Sequence, residues 1–167
     1  FRASKVLVSL FAIELGASQF IIGVMIAMYS LLPVLLALQV GKLADRLGAR
    51  VPMLIGSAGV ALGLLLPWAF ESMAALYASA ALIGVSHMLA NVSAQNLVGP
   101  IGGAQDRTRN FSNYALVMAV GSFLGPIAGG FSIDTFGHAR SYLYVAAFPL
   151  VPVFILAFVR QVRSGPR

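Results

Sequence analysis

Between Gly41 and Arg50 the chain reads Gly-Lys-Leu-Ala-Asp-Arg-Leu-Gly-Ala-Arg. The run before this island, Phe20 to Val40, holds no charged residue, and neither does the run after it, Val51 to Phe70. A helix needs about 20 apolar residues to cross the hydrocarbon core of a bilayer. Two such runs around a compact charged island imply two spanning helices joined by a tight loop on one side of a membrane. Composition points the same way. Only 10% of the residues are charged and 59% are hydrophobic, against about 25% charged in a typical soluble domain. A chain so poor in charge has too few polar groups to cover a soluble surface, which places it among all-α membrane proteins.

Four further segments complete the pattern. Val6 to Ile13 is apolar but short and carries Arg2 and Lys5 at its start, so we expect a first span that begins upstream of Phe1. Spans are then expected at about 20–40, 51–69, 73–98, 111–133 and 142–159. Pro33 sits inside the second as a kink site. Gly56, Gly59 and Gly63 in the third allow close helix approach, and Trp68 at its end suits the membrane interface. The turns fall at 14–19, 41–50, 70–73, 100–110 and 134–141. Lys42, Arg46, Arg50, Arg107, Arg109, Arg160, Arg163 and Arg167 would lie on one side, and of the turns on the other side only the last holds a basic residue, Arg140. Basic residues concentrate in cytoplasmic loops. The loops at 41–50, 100–110 and 160–167 are therefore expected in the cytoplasm, in a multi-pass protein of a plasma or bacterial inner membrane. This distribution also explains the net charge of +6 without nucleic acid, for which there is no aromatic and basic surface.

The island has an echo. Gly41, Asp45 and Gly48 align with Gly130, Asp134 and Gly137, and Ala49-Arg50 with Ala139-Arg140 after one inserted residue. Each copy closes the second span of a three-span unit. Because three is odd, the second unit would be inverted in the membrane, and inverted three-span repeats are a transporter architecture. The expected units are about 1–70 and about 73–160.

Gly41, Leu43, Asp45, Arg46, Gly48 and Arg50 match a known signature. They resemble the loop between helices 2 and 3 of the major facilitator superfamily, with Ala49 where a basic residue is usual. A second stretch, Gly121, Gly125, Pro126, Gly129 and Gly130, resembles the helix 5 pattern of antiporters in that superfamily. The arginine that many members carry early in span 4 is absent, since no arginine lies between Glu71 and Arg107. The resemblance implies that 1–167 is the N-terminal six-helix bundle of a twelve-span transporter. Its partner would be a C-terminal six-helix half, downstream in the same chain or supplied by a second copy. It also implies that Asp45 faces the N-terminal end of a helix in that other half, where the helix dipole favours a carboxylate by ~0.3–1 kcal/mol. Gly41, Asp45, Arg46, Gly48 and Arg50 would then form a conformational latch. The alternative is that the basic residues serve only as cytoplasmic anchors. The helix 5 glycines and Pro126 would act as a hinge, or as static packing.

Candidate cavity residues come from polar groups in apolar runs. Arg2 lies about 18 Å along a helix from Glu14 at 1.5 Å per residue, near mid-membrane if Glu14 is at the surface. Charges at that depth are costly and usually functional. Arg2 and Lys5, three residues apart, share a helix face. They would recognise an anionic substrate, pair with a carboxylate elsewhere, or extend to the interface. His87, Asn91 and Gln95 form a stripe that lipid would not tolerate, so it lines a cavity or bonds another helix. Asn113 and Tyr114 are candidates for the same cavity. No catalytic triad, metal cluster or phosphate loop is present in sequence, no cofactor is expected, and the five acids, Glu14, Asp45, Glu71, Asp106 and Asp134, all fall near span ends or in loops. Proton coupling would thus rest on His87, Glu14, Asp134 or the other half. The expected function is transport of a small solute by alternating access, with proton-coupled efflux as one form. A membrane scaffold that keeps the fold without transport is the alternative.

Overall fold

The computed structural model describes the backbone of residues 1–158 and, apart from residue 139, the side chains of residues 1–151. Arg160, Arg163 and Arg167, and the end of the sixth span, lie outside the described residues. The described chain is helical and contains no strand. Its helices are α1 (Arg2–Glu14), α2 (Gln19–Leu47), α3 (Arg50–Ala69), α4 (Met73–Val98), α5 (Arg107–Phe136) and α6 (His138–Phe158). A short 3-10 turn, Ala104–Asp106, precedes α5. Among the described residues α2, α3, α4 and the segment Ala104–Phe136 are long and apolar enough to cross a membrane.

The joints are shorter than the charge pattern suggests. The island at 41–50 is expected as a loop, yet α2 continues through Leu47 and α3 begins at Arg50. Only Gly48 and Ala49 make the turn. Gly48 has φ +69°, a left-handed conformation that glycine adopts at little cost. Likewise α5 runs on to Phe136, and Gly137 alone, at φ +77°, separates it from α6. The two glycines that align in the sequence echo thus close their helices with nearly the same backbone, φ/ψ 69/173° and 77/171°. The loop at 100–110 is also shortened, because α5 starts at Arg107. Ser18 and Ser72 start α2 and α4 by accepting from the backbone N–H of Ile21 and Ala75, the usual way of satisfying a free donor in the first turn.

Glycine and serine set the packing. A methyl group built on Gly56 would meet Ser86 and Ala90, on Gly59 Ser86, and on Gly63 Ile83. Rising numbers on α3 meet falling numbers on α4, so this close pair is antiparallel. Gly84 of α4 lies against the backbone of Tyr29 in α2. Gly125 and Gly129 of α5 lie against Arg2, Ala3 and Leu7 of α1, a pair that runs in parallel. Small residues of this kind let membrane helices meet backbone to backbone. A core of Leu7, Phe11, Tyr29, Leu64, Ile83 and Tyr142 fills the space where α1, α2, α3, α4 and α6 converge. Of the four long apolar segments, α3 and α4 are the most enclosed, whereas α2 and α5 turn most of their length outward. Phe20, Leu38, Val117, Phe123 and Phe131 are exposed. An outer surface of this kind would be an aggregation hazard in water and is at rest in lipid.

Candidate functional site

Residues of five helices line a half-open cavity of ≈ 430 Å³, and Arg2 on its wall is exposed. Its wall takes Arg2 from α1, Ser57 from α3, His87 from α4, Gly121 and Gly125 from α5, and Phe148 from α6, with apolar residues between them. The packing explains why these residues meet. Gly56 draws α3 onto Ser86 and Ala90, which flank His87 and fix its helix. Gly125 and Gly129 draw α1 onto α5, which sets Arg2 at the opposite wall. Gly121 has nothing within 4 Å of where a methyl would sit and opens directly onto the cavity.

Phe1 stacks on the His87 imidazole, with ring centroids 4.0 Å apart and planes within 5°. It also meets Tyr29 edge-on at 5.6 Å. The Lys5 ammonium lies 5.0 Å from the Phe1 ring centre and 5.4 Å from that of Tyr29, within the reach of cation–π attraction. Phe1 and His87 also line a second cavity of ≈ 300 Å³, shared with Tyr29, Pro33, Gly84 and Asn91. These two rings form the partition between the cavities.

The polar stripe on α4 divides among three places. His87 borders both of these cavities and Asn91 only the second, while Gln95 lines a third of ≈ 480 Å³ with Asn96, Arg107 and Phe111. The Gln95 amide donates to Asn91 Oδ1 within the stripe, so part of its polarity is spent along its own helix. Tyr114 is half-buried, whereas Asn113 is exposed on α5; neither lines the three cavities described. In the island, Asp45 and Arg46 are exposed on the last turn of α2, and Arg50 begins α3 half-buried. A methyl on Gly41 or Gly48 would touch nothing within 4 Å, so Gly41 leaves a smooth, open helix face beside Asp45. Pro126 is half-buried inside α5, and Gly130 also faces open space.

One contact had no sequence signal. Glu14 Oε2, at the end of α1, lies 2.6 Å from His138 Nδ1 at the start of α6. The His138 ring stacks on Phe11 at 5.7 Å. The turns at 14–19 and 134–141 are therefore at the same end of the bundle. The two residues are far apart in the chain, and neither belongs to a recognisable spacing.

The family model for the Major Facilitator Superfamily matches residues 3–167, nearly the whole chain. The chain belongs to the major facilitator superfamily. Among its curated relatives are the class H tetracycline resistance protein of Pasteurella multocida, 27% identical over 85% of this chain and 35% of that protein. The class B tetracycline resistance protein of Escherichia coli is 29% identical over 80% and 33%. The multidrug efflux pump LfrA of Mycolicibacterium smegmatis is 35% identical over 77% and 25%. This superfamily chain thus spans about a third of the length of the relatives it matches. Membership makes it part of an integral, multi-pass membrane transporter family, in keeping with the four long apolar helices among its described residues.

Proposed function

We propose that this chain is the N-terminal six-helix half of a transporter that exports small drug-like solutes by alternating access. The observation that carries the reading is the cavity itself. Five helices wall it, its lining is largely apolar, and Arg2 and His87 reach it from different helices. Pockets of 300–1,000 Å³ with few polar groups are the usual form of small-molecule sites. The relatives named for tetracycline resistance and multidrug efflux support export as the direction. In this reading the chain is two inverted three-helix units, about 1–70 and about 73–160, and the matching turns at Gly48 and Gly137 support the correspondence. The end carrying Glu14 and His138 faces outward and the island faces the cytoplasm, as the basic residues favour. Asp45, exposed at the tip of α2, latches against the C-terminal half in one state and is released in the other. Proton coupling runs through His87, Glu14, Asp134 or the other half.

The test is flux. The full-length protein containing this chain is reconstituted in proteoliposomes and loaded with tetracycline, with and without an imposed pH gradient. Export is expected, and its acceleration by the gradient identifies proton exchange. No flux of any solute, together with a stable complex with another membrane protein, would instead establish a scaffold.

A further inference from the structure

The charges around the main cavity are of one sign. Arg2 lines it, and Lys5 lies three residues on, at the Phe1 and Tyr29 rings beside the partition. No carboxylate lines either of the cavities that share Phe1 and His87. The acids of the described residues lie elsewhere. Glu14 ends α1 and pairs with His138, Asp106 pairs with Arg109, and Asp45, Glu71 and Asp134 sit at helix ends or in a turn. Neither Arg2 nor Lys5 has an ion pair among the described residues. Uncompensated cations at membrane depth are expensive and call for an opposite charge.

We propose that the solute taken by this cavity is an anion with an apolar, aromatic body, such as an arylcarboxylate or arylsulfonate. This rests on the transport reading above and adds the sign of the substrate's charge. The Arg2 guanidinium is a fork that pairs with a carboxylate or sulfonate through two parallel hydrogen bonds. Lys5 adds a second, point-like positive charge on the same helix face. Val60, Leu64, Leu124 and Phe148 supply the apolar wall for the body. His87, stacked on Phe1, provides a flat edge at the partition.

The experiment uses three probes with one ring system. Dansylglycine carries a carboxylate, dansylamide is neutral, and dansylcadaverine is cationic. Each is titrated against the purified full-length protein in detergent by fluorescence. Dansylglycine should bind at least tenfold more tightly than the other two. Arg2→Gln should weaken dansylglycine at least tenfold and leave dansylamide within twofold. Lys5→Gln should cause a smaller loss of the same selectivity. Arg2→Lys keeps the charge and should retain part of the affinity, which leaves the proposal testable if Arg2→Gln does not fold. Equal binding of the three probes, a preference for dansylcadaverine, or an Arg2→Gln loss shared by all three would overturn it. That is also the outcome if a carboxylate elsewhere in the full protein neutralises Arg2. Flux of the same probes separates this inference from the reading beneath it. Selective, Arg2-dependent binding of dansylglycine without flux would leave the anion site standing and sink transport. Flux of dansylcadaverine untouched by Arg2→Gln would keep transport and sink the anion.

Discussion

Gly56 should be among the least replaceable small residues in this bundle. A methyl group there would lie 2.6 Å from the Ala90 backbone nitrogen and 2.6 Å from the Ser86 carbonyl oxygen. Ordinary contacts begin near 3.4 Å, so α3 and α4 must part by about 3.4 − 2.6 = 0.8 Å. Both obstructing atoms belong to a helix backbone, and neither can swing aside. Overpacking of this kind costs ~1–3 kcal/mol. Replacing a helical glycine by alanine otherwise gains about 0.5–1 kcal/mol. Gly130 is the control, because a methyl there meets nothing within 4 Å. Gly56→Ala should therefore melt below Gly130→Ala by roughly 2–12 °C, taking 2–4 °C per kcal/mol for a domain of 150–250 residues. The assay is the fraction of monodisperse full-length protein surviving a series of heating steps in detergent. Because Ser86 and Ala90 flank His87, the same shift displaces the imidazole, and probe affinity at the cavity should fall with stability. Equal melting of the two alanine variants, to within about a degree, would refute the close approach of α3 and α4.

Other consequences follow from the joints. Gly48→Ala and Gly137→Ala place a side chain at φ/ψ 69/173° and 77/171°, a region open almost only to glycine, and each should destabilise by about 1–3 kcal/mol; unchanged melting at both would mean these turns are wrong. Asp45→Asn should insert normally yet transport more slowly, since only the charge presented to the other half is lost; wild-type flux at full expression would remove the latch. For Glu14 and His138, a double-mutant cycle with Glu14→Gln and His138→Gln should give a coupling of about 1 kcal/mol or less, because the carboxylate is 55% exposed and water screens the pair. A coupling well above about 1 kcal/mol would refute that screening.

Span positions were legible because charge is costly in lipid, so uncharged runs mark membrane depth. Helix ends were less so, for a related reason. Lys42, Asp45 and Arg46 end an apolar run, but in water they remain compatible with helix, and only Gly48 breaks it. Hydropathy thus marks where the membrane stops, and glycine marks where the helix stops. Arg2 and His87 were legible as polar groups in apolar surroundings, and they share one cavity. In sequence the stripe from His87 to Gln95 forms one face, but eight residues advance about 12 Å along a helix, enough to pass from one cavity to another. Asn113 lies exposed on α5, clear of the three cavities described. The Phe1–His87 stack and the Glu14–His138 pair join residues distant in sequence, and nothing local encodes either.

The absence of a loop at the island changes what a touch there would do. Asp45 and Tyr29 belong to the same helix, about 24 Å apart at 1.5 Å per residue. Tyr29 meets Phe1, carries Lys5 over its ring and abuts Gly84. A flexible loop would absorb a push at the membrane surface; a rod hands it on. Between the two points lie Pro33, which removes one backbone donor from the helix and lines the second cavity, and Gly41; a tilt of the end that carries Asp45 would pivot there before it reached the partition.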